Sequence, residues 1–246
     1  MLYATWSRGS KSGGYQTNPQ TLAAAPYDGE TAYTAEIGAK LDLTGSSYVT
    51  AAVFNTYVKD FQVSRTQVIN GLSQAVIANA DVRTRGAEVA GAWAVTESLT
   101  LNGNVVYADA KFAKDFPPAP APMIAYEGMP LPRAPKLTAR FGAEYLKDLT
   151  DDLELRLQGS ASYTSDSDLQ FRSTDPLSPI AEAHWLLDAQ VAIGSLKNGW
   201  EVSFIGTNLA DERYVVFATN VSAGGSSYYG NLNRPRTVAV QLRLTR

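Results

Sequence analysis

The sequence predicts an all-β chain: an antiparallel transmembrane β-barrel, of which about ten strands are present. Three observations point there. Most strand-like segments alternate apolar and polar residues, so one face of each strand meets apolar surroundings and the other polar ones. The connections alternate too: brief turns fall near 43–47, 95–98, 147–151 and 195–199, and long irregular stretches lie between them. Finally, aromatic residues share the apolar parity of their strands and fall at two levels. Trp6, Tyr33, Tyr107, Tyr163 and Trp185 lie near the long-loop ends, and Trp93, Tyr145 and Trp200 near the short-turn ends. Two aromatic girdles flanking an apolar band are expected where a barrel meets the two membrane surfaces.

The first strand covers 2–7, followed by a Gly/Ser/Asn/Pro-rich loop to about 29. Residues 31–43 put Tyr33, Ala35, Ile37, Ala39 and Leu41 on one face and Thr34, Glu36, Lys40 and Asp42 on the other. Segment 47–61 returns with both faces mildly apolar, which leaves its register open. Residues 85–95 and 99–112 form the next hairpin, with Leu99, Leu101, Val105 and Tyr107 on the apolar parity. A Pro-rich loop covers 113–135, because Phe116-Pro117-Pro118 and Leu131-Pro132-Arg133-Ala134-Pro135 cannot donate a regular ladder of hydrogen bonds. In 137–145, Leu137, Ala139, Phe141, Ala143 and Tyr145 oppose Arg140 and Glu144. Strands at 153–163, 185–193, 200–207 and 237–245 complete the set.

Composition narrows the chemistry. The 246 residues contain no cysteine and a single histidine, His184, so thiolate and multi-histidine metal centres are not expected, and no cofactor is. A net charge of −3 without a basic run gives no reason to expect nucleic acid as a partner. No segment is apolar over the roughly 20 residues a membrane helix needs, which is silent about barrel strands. A propeller would need four short strands per repeat of about fifty residues, where this chain supplies two long ones.

Hydrolytic barrels use paired acids and a histidine near one rim. His184 and Asp188 share a face, but four residues along a strand separate them by about 13 Å, beyond hydrogen-bond reach. Asp166 and Asp168 sit in the adjacent loop. Gly13-Gly14 is no phosphate cradle, as no helix follows, and Asp151-Asp152 reads as a turn. The chain is therefore expected not to be an enzyme.

The stretches from Tyr3 to Tyr15, Glu36 to Lys40, Thr84 to Glu88, Leu131 to Lys136, Gly206 to Tyr214 and Arg234 to Thr237 together resemble the barrel of TonB-dependent outer-membrane receptors, those for ferric siderophores above all. Tyr3-Ala4-Thr5-Trp6-Ser7-Arg8-Gly9-Ser10-Lys11-Ser12-Gly13-Gly14-Tyr15 looks like the family's Y-x-x-x-S-x-G-x-K-x-G-G-[FY] stretch, and Glu36-Ile37-Gly38-Ala39-Lys40 like its E-x-G-x-K strand. Thr84-Arg85-Gly86-Ala87-Glu88 resembles x-R-G-x-E, and 131–136 the family's P-x-x-P-x-x strand entry. Gly206-Thr207-Asn208-Leu209-Ala210-Asp211-Glu212-Arg213-Tyr214 is close to x-x-N-L-x-D-x-x-Y, and Arg234-Pro235-Arg236-Thr237 to G-x-P-R-T. Six similarities in the right order span nearly the whole chain.

The resemblance implies residues 1–246 as the C-terminal part of a barrel of about twenty-two strands, without signal peptide or plug domain. Met1-Leu2-Tyr3-Ala4-Thr5-Trp6 has neither the basic start nor the apolar core of a secretion signal, and Arg246 stands where the family usually ends on an aromatic residue. It implies uptake of a scarce nutrient, most simply a ferric siderophore, in the outer membrane of a Gram-negative bacterium. The implied partners are outer-membrane lipid, the TonB complex reached through the plug, and the iron–siderophore ligand. Cobalamin, a glycan or a peptide would suit the same loops. A self-contained ten-stranded pore and a secreted carbohydrate-binding β-domain are the competing readings.

The resemblance also implies a periplasmic C-terminus and periplasmic short turns, so the loops at 9–29, 60–75, 113–135, 164–183 and 208–233 are expected to be extracellular. The candidate ligand contacts are cationic or aromatic: Arg8, Lys11 and Tyr15, then Tyr126, then Phe171 and Arg172, and finally Tyr228, Tyr229 and Arg234. Gly38, Gly86, Asn208 and Asp211 are expected to be scaffold, and Glu36, Lys40, Arg85 and Glu88 to face the lumen.

Overall fold

The computed structural model describes residues 1–17, 24–44, 46–69, 72–114, 127–170, 178–195, 197–220 and 227–245. Its strands are β1 (Leu2–Lys11), β2 (Gly14–Thr17), β3 (Ala24–Tyr27), β4 (Glu30–Asp42), β5 (Tyr48–Ile69), β6 (Leu72–Ala94), β7 (Leu99–Phe112) and β8 (Leu137–Asp148). Then come β9 (Glu154–Thr164), β10 (Ser167–Asp168), β11 (Ile180–Ala181), β12 (His184–Ser195), β13 (Trp200–Thr207), β14 (Val215–Asn220), β15 (Tyr228–Leu232) and β16 (Thr237–Leu244). Ten of them form one sheet in the order β1-β4-β5-β6-β7-β8-β9-β12-β13-β16, antiparallel throughout, and the other six make small hairpins inside the long connections. The sheet is open, with β1 and β16 as its edges.

Register sorts the side chains onto two faces. One cross-strand row reads Leu2, Ala39, Ala51, Val89, Val105, Ala139, Tyr163 and Trp185. This outer face stays uncovered: Ile37 is 65% exposed, Phe204 57% and Val238 72%. Among the described residues only eight apolar side chains are buried, and four of them are alanines. Such an inverted distribution is unfavourable in water and favourable against hydrocarbon. All eight aromatics assigned to the girdles lie on this face, and two pairs touch: Trp6 with Tyr33 at 6.4 Å and Tyr163 with Trp185 at 5.0 Å between ring centres.

The other face is polar, the lumen side of a curled wall. Arg156 lies 3.1 Å from Glu201 and 3.2 Å from Glu154, and Gln158 donates to Glu144 at 3.1 Å. Glu36 accepts from the Tyr3 hydroxyl at 2.7 Å. Tyr3 packs its ring over Gly38, and Phe54 over Gly86, where a Cβ would collide with the ring and with the Tyr107 carbonyl. Both glycines are thus scaffold, allowing an aromatic to cover the neighbouring strand.

The short turns share one design. In three of them the amide opening the turn donates to the carbonyl closing it: Leu43 to Ser47 at 2.9 Å, Val95 to Leu99 at 2.9 Å and Leu149 to Leu153 at 2.8 Å. Thr96 and Thr150 each accept two amides of their turn through the hydroxyl, as turn threonines do. In the fourth, Gly199 adopts φ +67°, where a Cβ would strike the Thr245 carbonyl. Asp152 joins two turns by accepting from Ser195 and Asn198, each at 2.7 Å.

Two expectations are corrected. The loop expected over 60–75 is largely strand, as β5 runs to Ile69 and β6 begins at Leu72. A bulge at Asp60 (φ 57°) resets the alternation, so the apolar phase moves from Val58 to Phe61 and Val63 and the period-two pattern is interrupted there. Arg85, expected in the lumen with Glu88, lies on the outer face opposite Asn55 and Asp109. An odd spacing of three residues places Arg85 and Glu88 on opposite faces.

Above the apolar band the lumen side holds a small dry cluster. Val63, Ala80, Val82 and Phe112 are 2–7% exposed, and Val58, Phe61, Ala78, Met129 and Leu131 pack against them. Gly128 donates to the Phe112 carbonyl at 2.9 Å and Phe112 to that of Met129 at 3.0 Å, seating residues 128–131 along β7. Phe112→Ala should therefore cost about 3–5 kcal/mol in denaturant unfolding of the lipid-embedded protein and speed proteolysis near Met129. Unchanged stability and cleavage would show that the cluster does not anchor the segment.

Candidate functional site

At the long-loop rim three connections meet. Arg133, with φ 58°, donates its amide to the Asp168 carbonyl at 2.7 Å and its Nε to the Leu169 carbonyl at 3.3 Å. Its guanidinium lies 5.2 Å from the centre of the Phe217 ring. Gln170 donates to the Ala218 carbonyl at 2.8 Å, and His184 stacks on Tyr214 at 3.5 Å between ring centres. Leu169 and Ala218 are buried beneath. The result is a braced shelf carrying a cation and three aromatic rings.

The last connection is fixed at its base by Asn208 and Asp211, both at positive φ. The Asn208 amide group donates to the carbonyls of Glu212 at 3.0 Å and Arg234 at 3.1 Å, and its Oδ1 accepts from the Glu212 amide at 2.9 Å. Asp211 accepts from the Arg236 amide at 2.8 Å and lies 3.3 Å from the Arg213 guanidinium. The Arg236 amide, with Arg213 nearby, holds the Asp211 carboxyl below the ordinary aspartate pKa. In the first connection Gln16 exchanges two hydrogen bonds with the backbone of Ile77, at 2.8 and 2.7 Å, and so ties β2–β3 to β6.

The candidate contacts do not converge. Arg8 sits on the outer face over the Tyr33 ring at 5.6 Å, and Lys11 pairs with Glu30 at 3.2 Å. Tyr15, on β2, is 77% exposed. Tyr228 and Tyr229 lie on β15, and Arg234 follows it with its carbonyl taken by Asn208. The first and last groups flank opposite edges of the open sheet. Tyr126, Phe171 and Arg172 fall outside the described residues. Arg133, His184, Tyr214 and Phe217, not among those candidates, are brought together only by loop packing. The sequence signals for them were Arg133 between two prolines, the single histidine His184 and Tyr214 at the end of the N-L-x-D-x-x-Y stretch; nothing marked Phe217.

On the lumen face, a cleft of about 330 Å³ crosses β8, β9, β12 and β13, lined by Asn102, Arg140, Glu144, Gln158, Asp188 and Gln190 among others. Asp188 accepts from the Asn208 amide at 2.9 Å, and His184 meets the Glu182 carbonyl at 2.8 Å, so the two do not form an acid–base pair. No group of three or more metal-ligating side chains occurs among the described residues.

Asn208→Ala leaves the Arg234 carbonyl and the Glu212 amide without their partner, while the Glu212 carbonyl keeps Asn233 Nδ2 at 2.8 Å; it should loosen the 208–236 segment by about 1–3 kcal/mol, read as faster proteolysis there. The lowered Asp211 pKa makes the acid response signed. Its contribution is present above the unfolded aspartate value of about 3.9 and fades as pH falls through the lower folded value. Cleavage of this segment should accelerate only in acid below about pH 4, and Asp211→Asn should remove that acid response.

Comparison with known proteins agrees with this geometry. The family model for TonB dependent receptor-like β-barrels matches residues 1–209. The ferric yersiniabactin uptake receptor FyuA from Yersinia pestis superposes with a TM-score of 0.79 at 22% identity, covering 99% of this chain and 34% of that one. The siderophore receptor PiuA from Acinetobacter baumannii gives 0.71 at 19% identity, over 99% of this chain and 33% of that one. The copper transporter OprC gives 0.75 at 16% identity, over 99% and 36%. The chain thus spans about a third of the length of these structures. With the family model matched over most of its residues, the chain belongs to the TonB-dependent receptor β-barrel family.

Proposed function

We propose that residues 1–246 are the C-terminal part of a TonB-dependent receptor in the outer membrane of a Gram-negative bacterium, and that the complete protein takes up a ferric siderophore. The observation that carries this is the wall itself: ten antiparallel strands, apolar outside and polar inside, with both edges unpaired. Unpaired strand edges are not tolerated in hydrocarbon, so further strands must close the wall. Structures named as a ferric yersiniabactin uptake receptor and as a siderophore receptor share the fold.

In this reading the short turns are periplasmic and the long connections extracellular. The shelf of Arg133, Tyr214 and Phe217 joins Lys11, Tyr15, Tyr228, Tyr229 and Arg234 as the surface meeting an anionic, aromatic ferric complex, with Tyr126, Phe171 and Arg172 as further contacts; Arg8, on the outer face, is not one of them. Cationic and aromatic groups suit such a ligand through charge-assisted hydrogen bonds and cation–π contact. The plug, from the rest of the protein, engages the TonB complex and moves aside; the wall supplies a rigid frame and a hydrated lumen. No covalent step is required.

The test is accumulation of labelled iron, copper and cobalamin complexes by a receptor-deletion strain carrying the complete protein. Iron–siderophore uptake that stops without TonB supports the reading; uptake of copper or cobalamin alone redirects the substrate. Arg133→Ala should weaken siderophore binding about tenfold, the worth of one charge-assisted contact. Cells expressing residues 1–246 alone should accumulate nothing, and accumulation there would favour a self-contained pore.

A further inference from the structure

We infer that the outer wall of β1, β4, β5, β6 and β7 carries a binding site for the phosphate groups of outer-leaflet lipid, built from Arg8, Arg83 and Arg85, with Lys111 holding the neighbouring Asp109. The inference rests on the receptor reading, which places this face against lipid. Successive register pairs draw one row across five strands: Arg8 opposite Tyr33, Tyr33 opposite Tyr57, Tyr57 opposite Arg83, and Arg83 opposite Lys111. The row beside it holds Trp6, Ala35, Asn55, Arg85 and Asp109. All further rows toward the short turns are apolar or small, from Ala4, Ile37, Val53, Ala87 and Tyr107 onward.

Position along the strand decides what these cations meet. Arg83 and the lower-girdle Trp93 lie ten residues apart on β6. At about 3.3 Å per residue and a tilt of about 40°, that is about 25 Å along the membrane normal. The apolar band of such a wall has this height, so Arg83 emerges where hydrocarbon gives way to headgroups. Arginine deeper in the band would be strongly unfavourable; here it reaches the phosphate level.

The arginines are held ready rather than neutralised. Arg83 lies 5.5 Å from the Tyr57 ring centre, Arg8 5.6 Å from that of Tyr33, and Arg85 donates to Asn55 at 3.2 Å. All three are exposed, and none pairs with a carboxylate among the described residues. The nearby acids are engaged by other groups. Asp109 lies 2.7 Å from Lys111 and 3.8 Å from Lys136; Asp60 lies 3.7 Å from Lys59. Asp81 takes the Tyr57 hydroxyl and Lys114. The charge is also confined: on the outer face of β8, β9 and β12 the positions nearest the long connections are Leu137, Tyr163 and Trp185, none of them charged. A guanidinium matches two phosphate oxygens through paired N–H donors, and a cluster of them prefers a phosphate monoester to a zwitterionic headgroup.

The test uses the complete receptor, purified from membranes in detergent, with bisphosphorylated lipid A and the same lipid after phosphatase treatment as probes. Native mass spectrometry should show retention of the phosphorylated lipid and little of the treated one. Arg83→Gln with Arg85→Gln should lower retention about tenfold or more, the expected loss of at least one charge-assisted contact. Heat-modifiable gel migration checks folding, and Arg83→Lys with Arg85→Lys, which keeps charge without the fork, should retain an intermediate amount. Equal retention of both lipids, or undiminished retention once Arg8→Gln is added, would overturn the site. Iron uptake is read separately: phosphate-dependent retention in a protein that moves no siderophore would sink the transport reading and leave this one standing.

Discussion

Unbroken backbone pairing is the constraint on which the rest of this structure depends. A strand in hydrocarbon has no water to satisfy its amides and carbonyls, so each must find them in a neighbouring strand. Eight of the ten wall strands do so on both sides; β1 and β16 do so on one. That asymmetry leaves a wall with two unsatisfied edges, which hydrocarbon does not tolerate.

Given the ladder, the period of two assigns the chemistry. The outer face takes valine, leucine, isoleucine and aromatic residues, and the lumen face takes Glu36, Glu88, Glu144, Arg156 and Glu201. The Arg156 cluster faces hydrated space, where such pairs contribute little to stability; its consequence is a polar, water-filled surface. Stability comes instead from the ladder and from aromatics laid over glycines.

The long-loop rim uses another principle. Its segments are too short and polar to build their own cores, so side chains that mimic backbone partners tie them down: Gln16 on Ile77, Asn208 on Glu212 and Arg234, Asp211 on Arg236. One apolar cluster around Phe112 adds dry contact on the lumen side. The shelf around Arg133 inherits its geometry from these ties and presents its cation and rings from a fixed base.

Much of this was legible before any coordinates. Leu99–Phe112 and Trp200–Thr207 have the bounds that alternation assigned, the eight girdle aromatics lie on one face, and the turns fall where Thr, Gly, Ser and Asp cluster. These are local properties: alternation and turn chemistry act between residues close in the chain, so sequence alone determined the strands, their faces and their hairpin order. The reach of β5 and β6 past Asp60, the outward placement of Arg8 and Arg85 as one cationic row, and the stacking of His184 on Tyr214 were decided only by the tertiary structure. A bulge shifts phase by a single residue, and loop packing joins residues distant in sequence; neither leaves a periodic trace in the chain.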